Sequence, residues 1–199
     1  MKLHKFRSYR QYRRTQIAKN KDQIDATYAI PEVMQATAAY IKEHRPDANF
    51  GICHGAKHGW EVQQLRDLLE IDVIGTDISP TAKKFEHMVH WDFHEVKDEW
   101  RGRTDFIYSN TLDHSIDPVM CLERWSETLR EGGLIFLEWS PWHDEDHSTA
   151  DDPFGASLEE YVRLLSANFE NRDVIELGTS DADKYDLART LVIAEKPSA

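Results

Sequence analysis

The residues best suited to chemistry in this chain fall in short loops, each directly after a run of apolar residues. The first is Gly51-Ile52-Cys53-His54-Gly55-Ala56-Lys57-His58-Gly59-Trp60-Glu61. Glycines at a strand-to-helix turn permit unusual φ values and let a ligand approach the backbone, though a tight packing turn uses them equally well. The second, Val73-Ile74-Gly75-Thr76-Asp77-Ile78-Ser79, puts a carboxylate at a strand end. There it can accept hydrogen bonds from both hydroxyls of a ribose. Asp77 could instead cap the helix that starts near Pro80, but Ser79 is better placed for that role. The third, Trp91-Asp92-Phe93-His94, sets a carboxylate that can accept from an adenine amino group beside rings that can stack on a base. The fourth, Tyr108-Ser109-Asn110-Thr111-Leu112-Asp113-His114, carries polar groups into the same crevice. Any one of these can be an ordinary loop; four of them after four successive strands form a pattern.

Such loops need a scaffold in which strand ends converge. Short strands are expected at residues 49–53, 71–76, 88–91, 105–108 and 134–137, with two more at 174–177 and 190–194. Residues 7–28 read as polar and helical. Pro31 opens a helix with the stripe Ile30, Val33, Met34, Ala38 and Ile41, and Val62, Leu65, Leu68 and Leu69 mark the next. A short helix is expected at 80–86, another from Asp117-Pro118 through Val119, Leu122, Trp125 and Leu129, and a last one at 158–168. Gly132-Gly133 reads as the turn into the fifth strand. Strands alternating with helices predict an α/β fold, a doubly wound, mostly parallel seven-stranded sheet. Short, continuously apolar strands agree, because parallel strands are buried on both faces. The last two strands, joined only by polar residues, predict an antiparallel C-terminal edge. With no repeat and no interior linker, one domain over residues 1–199 is expected: a basic helical extension at 1–30 and an α/β core at 31–199.

The bulk composition sets limits. At 199 residues, 40% apolar and 30% charged, the chain has the length and balance of a globular domain. No stretch approaches the roughly 18 apolar residues of a membrane helix, and the basic N-terminus lacks the apolar run of a secretory signal. A cytoplasmic location away from membranes is therefore expected. The two cysteines, Cys53 and Cys121, form no CxxC pair, which argues against a disulfide framework or a cysteine zinc site. Residues 1–21 hold eight basic side chains and no acid, while the whole chain carries −12; taking that +8 away leaves −20 on the rest. So acidic a body is a poor partner for nucleic acid, whose binding rests on phosphate attraction.

The order of these segments resembles the class I S-adenosylmethionine-dependent methyltransferases over roughly residues 30–195. Residues 51–59 stand where their glycine-rich first motif lies, residues 73–79 look like their acidic second motif, and Trp91-Asp92-Phe93 is similar to their adenine-binding segment. The run from Asp105 through Asn110, His114 and Asp117-Pro118 to Gly132-Gly133 and Glu138 resembles their fourth and fifth motifs. The resemblance implies S-adenosylmethionine as cofactor. Asp77 would hold its ribose, Asp92 and Phe93 its adenine, and Gly51, His54, Gly55 and Gly59 its amino-acid portion, with Asn110 near the sulfonium and Ile78 among the cofactor-binding residues. The dinucleotide fingerprint G-x-G-x-x-G is not met, since Cys53 and Ala56 fall where glycines belong. That disfavours a nicotinamide-dependent oxidoreductase, and a non-catalytic cofactor-binding module stands as the main alternative.

The expected reaction is O- or N-methylation of a small molecule. An acceptor that must lose a proton needs a base, and a histidine suits that role near neutral pH. His114 is the first candidate, with Asp113 as its orienter; packing on the cofactor or capping the next helix are equal readings of His114. The long loop at residues 139–155, with Trp139, Trp142, His143 and His147, lies beside the cleft and is expected to be functional. Its histidines and carboxylates could bind a divalent metal that holds a diol or catechol acceptor, but such residues are more often simply solvated, composition is weak evidence, and no metal is expected. The N-terminal segment, with Phe6, Tyr9 and Tyr12 among its basic residues, is expected to close over the cleft as a lid and to suit an anionic acceptor. A homodimer is compatible with the sequence.

Overall fold

Two helices precede the main sheet, and their sequences explain where each begins. The Ser8 side chain caps α1 (Tyr9–Asp22) by accepting from the Gln11 N–H. Pro31 occupies the first turn of α2 (Pro31–His44), where its missing N–H forfeits no helical bond. The computed structural model describes residues 1–179 and 187–198. Part of the polar connection expected between the last two strands therefore lies outside the described residues.

The strands are β1 (Lys2–Leu3), β2 (Phe50–His54), β3 (Asp72–Asp77), β4 (Met88–His90), β5 (Thr104–Ser109), β6 (Leu129–Trp139), β7 (Phe154–Gly155), β8 (Glu170–Gly178) and β9 (Arg189–Glu195). Helices α3 (Trp60–Leu69), α4 (Pro118–Thr128) and α5 (Leu158–Leu165) complete the elements. The main sheet has seven strands in the order β4-β3-β2-β5-β6-β9-β8. Its first five are parallel, while β9 runs antiparallel to both β6 and β8, which leaves β8 at the edge. The chain thus has the expected doubly wound, Rossmann-like architecture with antiparallel C-terminal strands.

Helices cover both faces. On one, Val33, Met34, Ile41, Val62 and Leu65 from α2 and α3 pack on Cys53, Tyr108 and Phe136. On the other, Cys121, Leu122, Trp125, Tyr161 and Leu165 from α4 and α5 pack on Ile52, Ile107 and Ile135. Each such side chain contributes about 1.5–3 kcal/mol by leaving water. Burial on both faces is why these strands are continuously apolar and why polar residues collect only where they end.

Several boundaries differ from expectation: α1 covers only Tyr9–Asp22 of the helical stretch expected at 7–28, and the strand expected at 174–177 begins at Glu170. Gly132 (φ +67°) lies inside β6. The register runs from Thr104↔Leu129 to Phe106↔Leu134, so five residues of β6 advance against two of β5, and the glycine takes up the excess in an irregularity of the ladder. The helix expected at 80–86 is a 3₁₀ turn over Pro80–Lys84, and the last helix stops at Leu165, not 168. A small ribbon was also not foreseen: β1 pairs with β7, Lys2 opposite Gly155 and Leu3 opposite Phe154, and ties the start of the chain to the long loop. No helix among the described residues is long and apolar enough to cross a membrane.

Candidate active site

The carboxyl ends of β2, β3, β5 and β6 open on one side, and a cavity of about 440 Å³ lies over them. That volume is within the range of small-molecule sites, and the position is where open α/β sheets bind ligands. Of the residues expected from sequence, Gly55, Asp77, Ile78, Asp92, Phe93, Asn110, Asp113 and His114 all line it. Gly51, His54 and Gly59 are not in its lining. Strand alternation accounts for two of these: Gly51 faces the Phe106 ring, which leaves no room for a Cβ, and His54 points to the opposite face, stacked on Trp125 with ring centroids 4.7 Å apart. Burial pushes the His54 imidazole down to about 3, so it is a neutral core group whose Nδ1 pairs with Thr76 Oγ1 at 2.8 Å. Gly59 (φ +84°) starts α3 in a conformation that suits glycine. Gly55 (φ +73°) combines that constraint with close approach, since a Cβ there would stand 2.0 Å from Thr111 Oγ1.

The two strand-end carboxylates differ in electrostatics. Asp77 Oδ1 accepts from the Ser79 N–H at 2.7 Å, and Oδ2 from Asn20 Nδ2 at 2.9 Å and the Lys57 N–H at 3.2 Å. Burial nonetheless dominates and raises its carboxyl to about 6. Ser79 caps the 3₁₀ turn from its own side chain. Asp92 accepts from Tyr9 Oη and pairs with His94 Nδ1 at 2.9 Å. Burial opposes its ionisation, but these hydrogen bonds prevail and hold it below the ordinary carboxylate range.

At the far end of the cavity the His114 ring is held by Gln16, not by its neighbour Asp113. Gln16 donates Nε2–H to the Asp151 carbonyl at 3.0 Å, which leaves its Oε1 to accept from His114 Nδ1 at 2.9 Å. On this network Nδ1 carries the proton and Nε2 the lone pair. Burial outweighs the neighbouring carboxylates and keeps the imidazole below its ordinary range, hence neutral near pH 7. His143 Nε2 stands 3.9 Å from Asp113 Oδ1, and His147 and Trp142 also line the cavity.

Several lining residues carry little signal in the sequence. Tyr12, Gln16 and Asn20, four residues apart on α1, are buried and face the cleft. Their spacing is the signal, but two of the three are polar, the pattern of a solvent-facing helix. Tyr12 donates to the His114 carbonyl at 3.0 Å, so α1 touches both ends of the cavity. Among its cations Lys19 reaches inward and pairs with Asp152, while Arg10, Arg13, Arg14 and Lys21 are exposed. The positive charge expected to meet an anionic acceptor therefore lies largely outside. Lys57 adopts a left-handed φ of +50° between Gly55 and Gly59 and lays its ammonium 4.5 Å from the Tyr28 ring centroid. Glu61 on α3 is buried with Oε2 lacking a hydrogen-bond partner. Glu138 and Arg189, 3.4 Å apart on β6 and β9, are brought together only by the sheet, with no local sequence signal for the pair.

No protein-family model matches the sequence, and no curated protein matches it either. Solved structures do match its fold. The 1,6-didemethyltoxoflavin-N1-methyltransferase of Burkholderia thailandensis, solved with bound 1,6-didemethyltoxoflavin and S-adenosylhomocysteine, superposes with a TM-score of 0.73 at 16% identity, covering 98% of this chain and 92% of its own. The N-methyltransferase NodS of Bradyrhizobium japonicum, in complex with S-adenosylhomocysteine, gives 0.66 at 13% identity over 92% and 100%. The cyclase SpnF gives 0.63 at 11% over 83% and 81%. In fold, the chain is similar to the class I S-adenosylmethionine-dependent methyltransferases.

Proposed function

We propose that this protein transfers a methyl group from S-adenosylmethionine to a small-molecule acceptor. The observation that carries the reading is the row Gly55, Asp77, Ile78, Asp92, Phe93 and Asn110 along one cavity. In it Asp77 is the ribose partner, Asp92 and Phe93 face the adenine, Gly55 lets the amino-acid portion approach the backbone, and Asn110 stands by the sulfonium. Glu61, which lines the same cavity as Gly55 and Lys57 and whose Oε2 lacks a hydrogen-bond partner, fits the ammonium of that amino-acid portion. S-adenosylmethionine supplies an electrophilic carbon on a good leaving group, so the chain's task is largely positioning. Helix α1 is the lid that completes the cavity, and His114 and Asp113 supply the electron pairs that activate the acceptor. The shared fold of a cyclase keeps chemistry distinct from fold. Calorimetric titration is expected to show S-adenosylhomocysteine binding and no NAD binding; the reverse would contradict the assignment. Binding with no transfer to any acceptor would favour a non-catalytic module.

Glu61 yields a pH-dependent prediction. Burial raises its carboxyl to about 7, so the folded chain holds that proton more tightly than the unfolded one. The stability this contributes is present below the ordinary glutamate range and is lost as pH rises through 7, roughly 3 kcal/mol by pH 8. Glu61→Gln is expected to raise the melting temperature at pH 8, change it little at pH 5, and weaken S-adenosylhomocysteine binding about tenfold. Equal melting shifts at both pH values, with affinity intact, would contradict this role.

A further inference from the structure

At the lid end of the cavity, lone pairs outnumber the donors that meet them. Asp113, His114 and Asp152 each offer a ligand atom within 4.8 Å of the other two, and all three residues line the cavity. Asp113 is only 8% exposed, yet its Oδ1 has no hydrogen-bond partner. Gln16 fixes the His114 ring through Nδ1, which leaves the Nε2 lone pair 3.5 Å from Asp152 Oδ1. A lone pair facing a carboxylate oxygen is repulsive unless a cation stands between them. Lys19 supplies one positive charge to Asp152, so two carboxylates and one ammonium leave the cluster net negative.

We propose that Asp113, His114 and Asp152 bind a divalent first-row cation of the Mn²⁺ or Zn²⁺ kind. One imidazole and two carboxylates make a mixed donor set that suits such ions better than an all-oxygen cage suited to Ca²⁺. Metal–ligand bonds of about 2.1 Å place neighbouring ligand atoms roughly 3.0–3.4 Å apart, close to the spacing of His114 Nε2 and Asp152 Oδ1. Gln16 then plays the outer-shell part usual for a ligating histidine, fixing its tautomer from the far nitrogen. Three protein ligands leave coordination positions open toward the cavity, where an acceptor hydroxyl can bind.

The consequence for chemistry rests on the methyl-transfer reading; the binding itself does not. A hydroxyl oxygen on the cation loses its proton to solvent more readily. That oxygen's electron pair then forms the bond to the methyl carbon, and the electrons of the broken carbon–sulfur bond stay on sulfur. A cation here makes His114 a ligand, so activation of the acceptor passes through the ion.

The test titrates Mn²⁺ into the full chain after EDTA treatment and removal of the chelator, following free Mn²⁺ by electron paramagnetic resonance. One bound ion per chain is expected. Asp113→Asn and His114→Ala should each weaken it at least tenfold, Gln16→Ala by about tenfold, and Asp146→Asn, an exposed carboxylate of the same loop, not at all. Lys19→Met should tighten it by removing the competing charge. No binding, or binding undiminished by Asp113→Asn and His114→Ala, would overturn the site. S-adenosylhomocysteine affinity measured on the same metal-free proteins reports their folding and tests the cofactor assignment separately.

Discussion

Replacing Asp77 by alanine is expected to weaken S-adenosylhomocysteine binding by about 100-fold or more. Two ribose hydroxyls donating to one carboxylate are worth about 1.5–3 kcal/mol each, and each 1.4 kcal/mol is tenfold in affinity. The same carboxylate accepts from Ser79, Lys57 and Asn20 in the free protein, so the variant also loses local order. A melting curve separates the two effects, because lost ribose contacts lower affinity in a chain that still unfolds cooperatively. Asn20 adds a second expectation. Its amide occupies Asp77 Oδ2, so a ribose hydroxyl must share that oxygen or displace the lid residue. Near-normal affinity in folded Asp77→Ala would remove the foundation of the cofactor assignment.

The second large effect lies at the other end of the cavity. His114→Ala is expected to lower kcat by about 10²–10⁴-fold, the range for loss of a group that activates a reacting atom. S-adenosylhomocysteine affinity should stay unchanged, since His114 belongs to the acceptor end. Burial keeps this imidazole below its ordinary range. Because the Nε2 lone pair is needed whether it meets the acceptor or a cation, the acid limb of the pH–rate profile should therefore fall below the usual histidine value, and it should disappear in the variant. A loss of cofactor affinity that matches the loss of turnover would instead make His114 a packing residue.

The strand ends were the most legible part of the chain. Asp77, Asp92 and Asn110 can be located from sequence because buried parallel strands are continuously apolar, so the polar residue that ends each run stands out. What side chains do beyond that point is set by facing and by long-range contacts. His54 ends β2 just as Asp77 ends β3, yet the alternation that sends Cys53 to one core sends His54 to the other, against Trp125. Nothing in the residue type distinguishes the two outcomes. The α1 face of Tyr12, Gln16 and Asn20 has regular helical spacing, but polar residues at those positions read as solvent-facing until a cleft is there to receive them. Glu138 and Arg189 meet only because β9 inserts between β6 and β8. Asp113 and His114 are adjacent in sequence, yet Gln16, 98 residues away, holds the ring.

The central claim is that the ribose of S-adenosylmethionine binds at Asp77, and a crystal structure with S-adenosylhomocysteine tests it most directly. Both ribose hydroxyls are expected within about 2.6–3.2 Å of the Asp77 carboxylate, the adenine beside Phe93 and Asp92, and the sulfur close to Asn110. A ligand bound elsewhere, with the Asn20–Asp77 hydrogen bond intact and the cavity over the strand ends unfilled, would contradict it.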